Sequence, residues 1–75
     1  MTSAHDLMKA APATTDDELE AMVRAAMLLQ PVGSRQLWLR ETEAALDGYG
    51  GERNKASSDR IRRVIRNVAE GLGGG

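Results

Sequence analysis

The sequence predicts a small all-α domain, and three observations lead to this class. Apolar residues recur at the three-and-four spacing of a helix face in three separate stretches. Capping residues, prolines and glycines separate these stretches from one another. No stretch alternates apolar and polar residues as a half-buried strand does. Because the chain has 75 residues and no internal repeat, we expect one small three-helix bundle with a flexible N-terminal arm and a glycine-rich C-terminal tail.

The first predicted helix covers about residues 16–30. Thr15 can cap it and Glu18 completes a capping box, while the acidic first turn suits the positive end of the helix dipole. Pro31 ends the helix, because proline disfavours a helical residue before it and cannot donate a backbone hydrogen bond. One strip faces away from the predicted core: Ala21, Ala25 and Leu28. These residues are either good helix formers on a solvated face or a smooth surface on which a partner packs.

The second predicted helix begins at a Ser34 cap and runs to about residue 47. Gly48 is expected to end it in the left-handed conformation that glycine permits. The chain has one Trp, one Tyr and no Phe, so Trp38 is the expected centre of an otherwise aliphatic core. Leu37 lies outside the apolar arc of this helix.

The third predicted helix follows a flexible connection over residues 48–56 and is capped by Ser57 or Ser58, with Gly71 as its stop. Its apolar face is formed by Ile61, Val64, Ile65, Val68 and Leu72. The arginines Arg62, Arg63 and Arg66 project together on the opposite side, at about 100° per residue. We interpret these three arginines as a candidate docking face for an acidic protein surface or for phosphates.

The two ends of the chain are predicted to be flexible. Residues 1–14 form an arm, residues 15–70 the bundle and residues 71–75 a mobile tail. Ser3 and Asp6 have the spacing of a capping box and could start a single turn. Two interpretations of the arm stay open: a frayed terminus, or a segment that orders when Leu7 and Met8 enter a groove on a partner. His5 is the only histidine and has no second ligand near it, so no metal site is predicted.

Composition excludes several classes of function. The chain has no cysteine, so it can form neither a disulfide nor a thiolate metal site, which fits a reducing cytoplasm. The absence of a secretory segment and of a long apolar run leads us to expect neither export nor membrane contact. No nucleophile is paired with a base and no metal ligands cluster, so we predict neither an enzyme, nor catalytic residues, nor a cofactor.

The formal net charge of −1 hides an uneven distribution along the chain. Residues 16–30 are mostly acidic, whereas residues 53–66 are mostly basic. These two regions either neutralise each other or leave a separate basic patch. The basic last helix makes a helix-turn-helix nucleic-acid reader the alternative. That motif uses a shorter turn, and a mostly arginine helix favours phosphates over base edges, so nucleic acid is the secondary partner class.

The opening stretch Met1-Thr-Ser-Ala-His-Asp-Leu-Met8, the short length, the preference for arginine over lysine and the lack of catalytic residues point to one family. In these features the whole chain resembles the small RNA-polymerase-binding transcription regulators of lytic Xanthomonas phages. The resemblance includes no transferable motif, so it assigns no functional residue. It implies a protein of the bacterial host cytoplasm that binds host RNA polymerase, inhibits promoter transcription and promotes read-through of terminators.

Overall fold

The computed structural model describes residues 3–49 and 51–73, which fold into four α-helices and contain no strand. The helices are α1 (Ala4–Ala10), α2 (Asp16–Leu28), α3 (Arg35–Ala45) and α4 (Glu52–Gly73). Short 3-10 turns follow α1 and α3 and precede α3, at Ala11–Ala13, Leu46–Tyr49 and Val32–Ser34. The predicted all-α class is confirmed, but the structure has one helix more than the three that were predicted.

The additional helix lies in the region predicted to be a flexible arm. The Ser3 hydroxyl accepts a hydrogen bond from the Asp6 N–H, and the Asp6 carboxylate accepts one from the Ser3 N–H, which completes a capping box. The buried residues of this segment recur at helical spacing: Ala4, Leu7, Met8 and Ala11. They join the main core, where α1 contacts α3 and α4. The arm prediction is therefore wrong for residues 3–13, while Met1 and Thr2 lie outside the described residues.

Helix α2 begins as predicted and ends slightly early. The Thr15 hydroxyl accepts a hydrogen bond of 3.2 Å from the Glu18 N–H. After Leu28, the next two N–H groups donate to carbonyls only three residues back, so the last turn tightens before Pro31. This is the expected effect of a proline, which disfavours α geometry in the residue before it. The buried residues of α2 are Leu19, Val23, Ala26 and Met27.

Helix α3 differs from its prediction at its end and in its core residue. It ends at Ala45 and continues as a 3-10 turn, and no described glycine has a positive φ, so the predicted left-handed Gly48 is wrong. The core is filled by Leu39 and Leu46, whereas Trp38 is only partly buried against it. Successive helix residues point about 100° apart, so Trp38 lies on the flank when Leu39 points inward.

Helix α4 is longer than predicted at both ends. It begins at Glu52, because residues 52–58 contain neither glycine nor proline to interrupt it. The Ser58 hydroxyl donates to the Lys55 carbonyl within the helix, at 3.0 Å, so it does not cap the first turn. The helix passes through Gly71, which contradicts the mobile tail for residues 71–73. The remaining tail residues, 74 and 75, lie outside the described part of the chain.

Helix α3 runs antiparallel to α4. Arg66 Nε lies 2.9 Å from Glu43 Oε1. Arg62 lies about one turn earlier in α4 and pairs with Asp47, which follows Glu43 by about one turn. A step forward along α4 is therefore a step backward along α3, and the start of α3 lies level with the end of α4.

Helix α2 runs parallel to α4, because the connection from α2 to α3 is too short for the opposite direction. Arg60 Nε lies 2.8 Å from Asp16 Oδ1. The start of α2 therefore lies level with Arg60 along the axis of α4. An antiparallel α2 would separate Leu28 from Arg35 by about 40 Å at 1.5 Å per residue, but the seven residue-to-residue steps between them reach at most about 25 Å. Leu28 therefore lies level with Leu72, since both lie equally far along their helices from the Asp16–Arg60 pair.

Candidate functional site

The predicted arginine face of α4 exists, but it is largely balanced by carboxylates. Arg62, Arg63 and Arg66 line a shallow depression together with Asp59. Arg66 donates to Glu43 Oε1, and Arg62 donates to the Asp47 carboxylate. Arg63 is exposed and makes no ion pair with another described residue. Two of the three predicted docking arginines therefore hold α3 against α4.

The electrostatics of Arg62 agree with this structural role. Its hydrogen bond to Asp47 raises the pKa of the guanidinium above its ordinary value, and the charges of Asp47, Glu43 and Asp59 act in the same direction. Partial desolvation opposes this shift. The charged form of Arg62 is thus favoured by its own chain. A phosphate that approached this face would meet arginines already paired with carboxylates.

Arg60 connects the basic helix to the acidic start of α2. Besides the bond to Asp16, its Nη1 donates to the Ala11 carbonyl and its Nη2 to the Thr14 carbonyl, both at 2.9 Å. The two bonds to carbonyls fasten α4 to the turn that follows α1, and the bond to Asp16 fastens it to the start of α2. The interpretation that the acidic and basic regions neutralise each other holds at this point.

Leu7 and Met8 were the predicted partner-binding residues of the arm. Both are buried in the chain's own core. The hypothesis that they project from a free arm toward a partner is therefore wrong in this structure. His5, which precedes them, is exposed and lies 3.3 Å from the Tyr49 hydroxyl through its Nδ1. This contact joins α1 to the turn after α3.

The large aliphatic side chains that are exposed in the described residues all lie near the level of one end of the bundle. They are Leu28 (60%), Leu29 (76%), Val32 (77%), Leu37 (54%) and Leu72 (38%). The end of α2, the following turn, the start of α3 and the end of α4 lie level with one another, as their ion pairs require. We call these five residues the apolar end. The predicted strip of Ala21, Ala25 and Leu28 is exposed along α2 and leads to it.

Sequence reasoning identified only Leu28 of this group. Leu37 carried a usable signal, because it lies outside the apolar arc of its helix. Leu29 and Val32 flank Pro31 and belong to no periodic face, so periodicity could not assign them. Leu72 was assigned to the buried face of the last helix, and its 38% exposure corrects that assignment.

The charges beside the apolar end are of both signs. Residues 21–40 contain Arg24, Arg35 and Arg40 but no Asp or Glu. Arg24 pairs with Glu20 at 3.4 Å, whereas Arg40 is exposed and has no ion pair among the described residues. The Nε of Arg35 is enclosed and finds no acceptor in the described part of the chain. Two carboxylates lie at the same level: Glu41, one turn from Leu37 on α3, and Glu70 on α4.

The described residues include no candidate metal site and no candidate membrane span. No group of three or more His, Asp or Glu side chains among them could hold a metal ion. Within the same residues, no helix has an apolar stretch long enough to cross a bilayer.

Comparisons with known proteins do not identify a relative. The chain matches none of the protein-family profiles, curated proteins or solved structures with which it was compared. The resemblance to phage regulators of RNA polymerase therefore stays a prediction from the sequence. Any functional conclusion has to combine that prediction with the surface described above.

Proposed function

We propose that this chain is a non-enzymatic transcription regulator of phage type that binds host bacterial RNA polymerase. It inhibits transcription from promoters, promotes read-through of terminators and acts in the cytoplasm of the host. The sequence resemblance supplies the identity of the partner. The observation that carries the proposal is that the five exposed large aliphatic side chains of the described residues all lie near the level of one end of the bundle.

The common position of these five side chains, rather than their exposure alone, indicates a binding surface. Single exposed aliphatic residues are common on protein surfaces, but a contiguous patch is typical of a site that binds another protein. Covering such a patch gains roughly 25 cal/mol for each Å² of apolar area removed from water. A surface of this kind favours protein contact over catalysis, and a small regulator needs only such a contact.

A nucleic-acid reader remains the competing function because α4 is rich in arginine. Its one specific support is Arg63, which is exposed and without an ion pair in the described part of the chain. Arg66, however, has a carboxylate partner on α3, and Arg62 has one in the turn that follows α3. Nucleic-acid binding depends on cations that are free to neutralise phosphates, so we place this function second.

Purified components test the proposal directly. The chain is immobilised and incubated with purified bacterial RNA polymerase, with and without nuclease treatment. We expect nuclease-resistant retention of polymerase, together with reduced promoter transcription and increased terminator read-through in a reconstituted assay. Retention that disappears with nuclease would instead support the nucleic-acid alternative.

A paired set of variants adds a control to the same assay. Leu29→Glu changes the apolar end, whereas Ala56→Glu places the same charge at an exposed position near the start of α4. We expect the first variant to lose polymerase retention and the second to keep it. Absence of retention by the unmodified chain would reject the proposed function whatever the variants do.

A further inference from the structure

We infer that α1 is an exchangeable helix, which leaves its own chain and packs at the same place on a second copy, and that Arg60 is the latch that opposes this exchange. The inference is independent of the proposed function, because it concerns contacts between the chain's own helices. Three observations carry it: the surface that α1 covers, the connection that follows α1, and the bonds of Arg60.

The surface under α1 is already shaped for one occupant. Leu7 has no exposed surface, and Ala4, Met8 and Ala11 are buried beside it, where α1 contacts the other three helices. With seven residues, α1 is too short to be a stable helix by itself in water. An α1 that leaves its chain must therefore bury its apolar face again. The α1 position of a second copy offers the same contacts.

The connection between α1 and α2 has the properties of a hinge. Its exposed residues are Pro12, Ala13 and Thr15. Ala11 lies in the α region, with φ −52° and ψ −44°, which the proline after it disfavours. An extended Ala11 suits Pro12 better and directs α1 away from its own core. Residues 11–15 reach about 17 Å when extended, so two copies that exchange α1 meet near the exposed Asp16.

Arg60 holds both sides of this hinge at once. Its Nη1 donates to the Ala11 carbonyl, on the α1 side, and its Nη2 donates to the Thr14 carbonyl, on the α2 side, both at 2.9 Å. The Thr14 N–H also donates to the Ala11 carbonyl, at 3.4 Å, so the turn is closed. Extension of the hinge moves the two carbonyl groups apart, and one guanidinium can then no longer bond to both. Arg60 therefore opposes the exchange that Pro12 favours.

Two variants with opposite effects test the inference in the full chain. Each protein is incubated at a series of concentrations near its urea midpoint and returned to buffer. The dimer fraction is then measured by size-exclusion chromatography with light scattering. We expect the unmodified chain to form a dimer whose fraction rises with concentration. Association should be about tenfold tighter in Arg60→Met, because the latch is lost, and weaker in Pro12→Ala.

A control separates the latch from general stability. Ile65→Val removes one buried methyl group and none of the hydrogen bonds of the hinge, so it should leave the dimer fraction unchanged. Circular dichroism checks that each variant refolds when urea is removed. If Arg60→Met does not refold, Arg60→Lys replaces it, because an ammonium keeps the charge but lacks the fork of donors that holds two carbonyls.

A cross-link between two different chains locates α1 in the dimer. The chain has no cysteine, so a single cysteine can be introduced at a chosen position. His5 on α1 lies 3.3 Å from the Tyr49 hydroxyl through its Nδ1. Chains with His5→Cys are mixed with chains with Tyr49→Cys before the same urea treatment, and we expect a short bismaleimide to join the two kinds of chain. Leu29→Cys, at the other end of the bundle, replaces Tyr49→Cys as the control and should not cross-link to α1.

Three results would overturn the inference. The first is a chain that stays monomeric at every concentration, both unmodified and as Arg60→Met. The second is a dimer that Ile65→Val strengthens as much as Arg60→Met does, because association would then follow from lost stability alone. The third is a dimer in which His5→Cys cross-links no better to Tyr49→Cys than to Leu29→Cys, because α1 would then have stayed on its own chain.

Discussion

Two leucines in the first half of the chain have opposite environments. Leu7 in α1 has no exposed surface, whereas Leu29 after α2 is 76% exposed. Both lie in short apolar stretches next to a proline-containing turn. The difference is that α1 packs against α3 and α4, while Leu29 lies at the end of the bundle beyond its helix. Local pattern identifies apolar residues, but only the arrangement of the helices decides which of them are covered.

The largest expected effect comes from truncating Leu7. Leu7→Ala leaves a cavity in the core and should lower the free energy of unfolding by about 2–5 kcal/mol. A chain of this size is expected to have only about 3–5 kcal/mol in total, so the variant should be largely unfolded. Leu29→Ala is the matched control and should stay within about 0.5 kcal/mol of the unmodified chain. Urea denaturation followed by circular dichroism measures both variants.

Equal stability of the two variants would contradict the packed α1. Residues 3–13 would then form the free arm that the sequence predicted. The comparison would then be between two exposed leucines, and Leu7 would again be available to a partner.

The features that sequence predicted correctly depend on near neighbours in the chain. Thr15 and Glu18 lie three residues apart, so their capping contact could be recognised without knowledge of the fold. The buried face of Ile61, Val64, Ile65 and Val68 likewise follows from helical spacing alone. The predicted start of α4 was too late because Ser57 and Ser58 resemble helix caps. Residues 52–56 contain no glycine or proline, so the helix begins before these serines.

The features that sequence could not supply depend on the arrangement of whole helices. The outward projection of Arg62 and Arg66 was predictable, but their pairing with Asp47 and Glu43 requires the antiparallel register of α3 and α4. The burial of α1 requires a surface on other helices for it to cover. The apolar end exists because the end of α2, the start of α3 and the end of α4 lie level with one another. No single stretch of sequence predicts this arrangement.

An intermediate effect is expected from Arg60, which fastens the turn after α1 to the rest of the bundle. Arg60→Met keeps an apolar stem but removes the bonds to Asp16 and to the Ala11 and Thr14 carbonyls. Water can reach part of this site, so we expect a loss of about 1–2 kcal/mol. The midpoint of urea unfolding measures this loss, with the exposed Arg63→Met as control.

Hydrogen exchange sharpens the same test. If Arg60 helps hold α1 on the bundle, the amides of α1 should exchange faster in Arg60→Met, while those in the middle of α4 change less. A uniform increase along the whole chain would mean that Arg60 contributes to global stability alone and has no special relation to α1.

The smallest expected effect concerns the ion pair between Arg66 and Glu43. Arg66→Glu places two carboxylates together, but Arg66 is 67% exposed in its side chain, so the loss should be about 0.5 kcal/mol or less and should shrink as salt is added. Thermal unfolding at low and high salt measures it. Arg63→Glu, which breaks no described pair, is the control.

Binding of polymerase by the same two variants decides between the α4 face and the apolar end. Docking through the apolar end leaves both folded variants with undiminished polymerase retention, because neither change reaches Leu29, Val32 or Leu37. Docking through the α4 face makes both lose retention in a salt-sensitive way, since each replaces attraction to an acidic surface by repulsion. The second outcome would make the arginines the interface and leave the apolar end to another role.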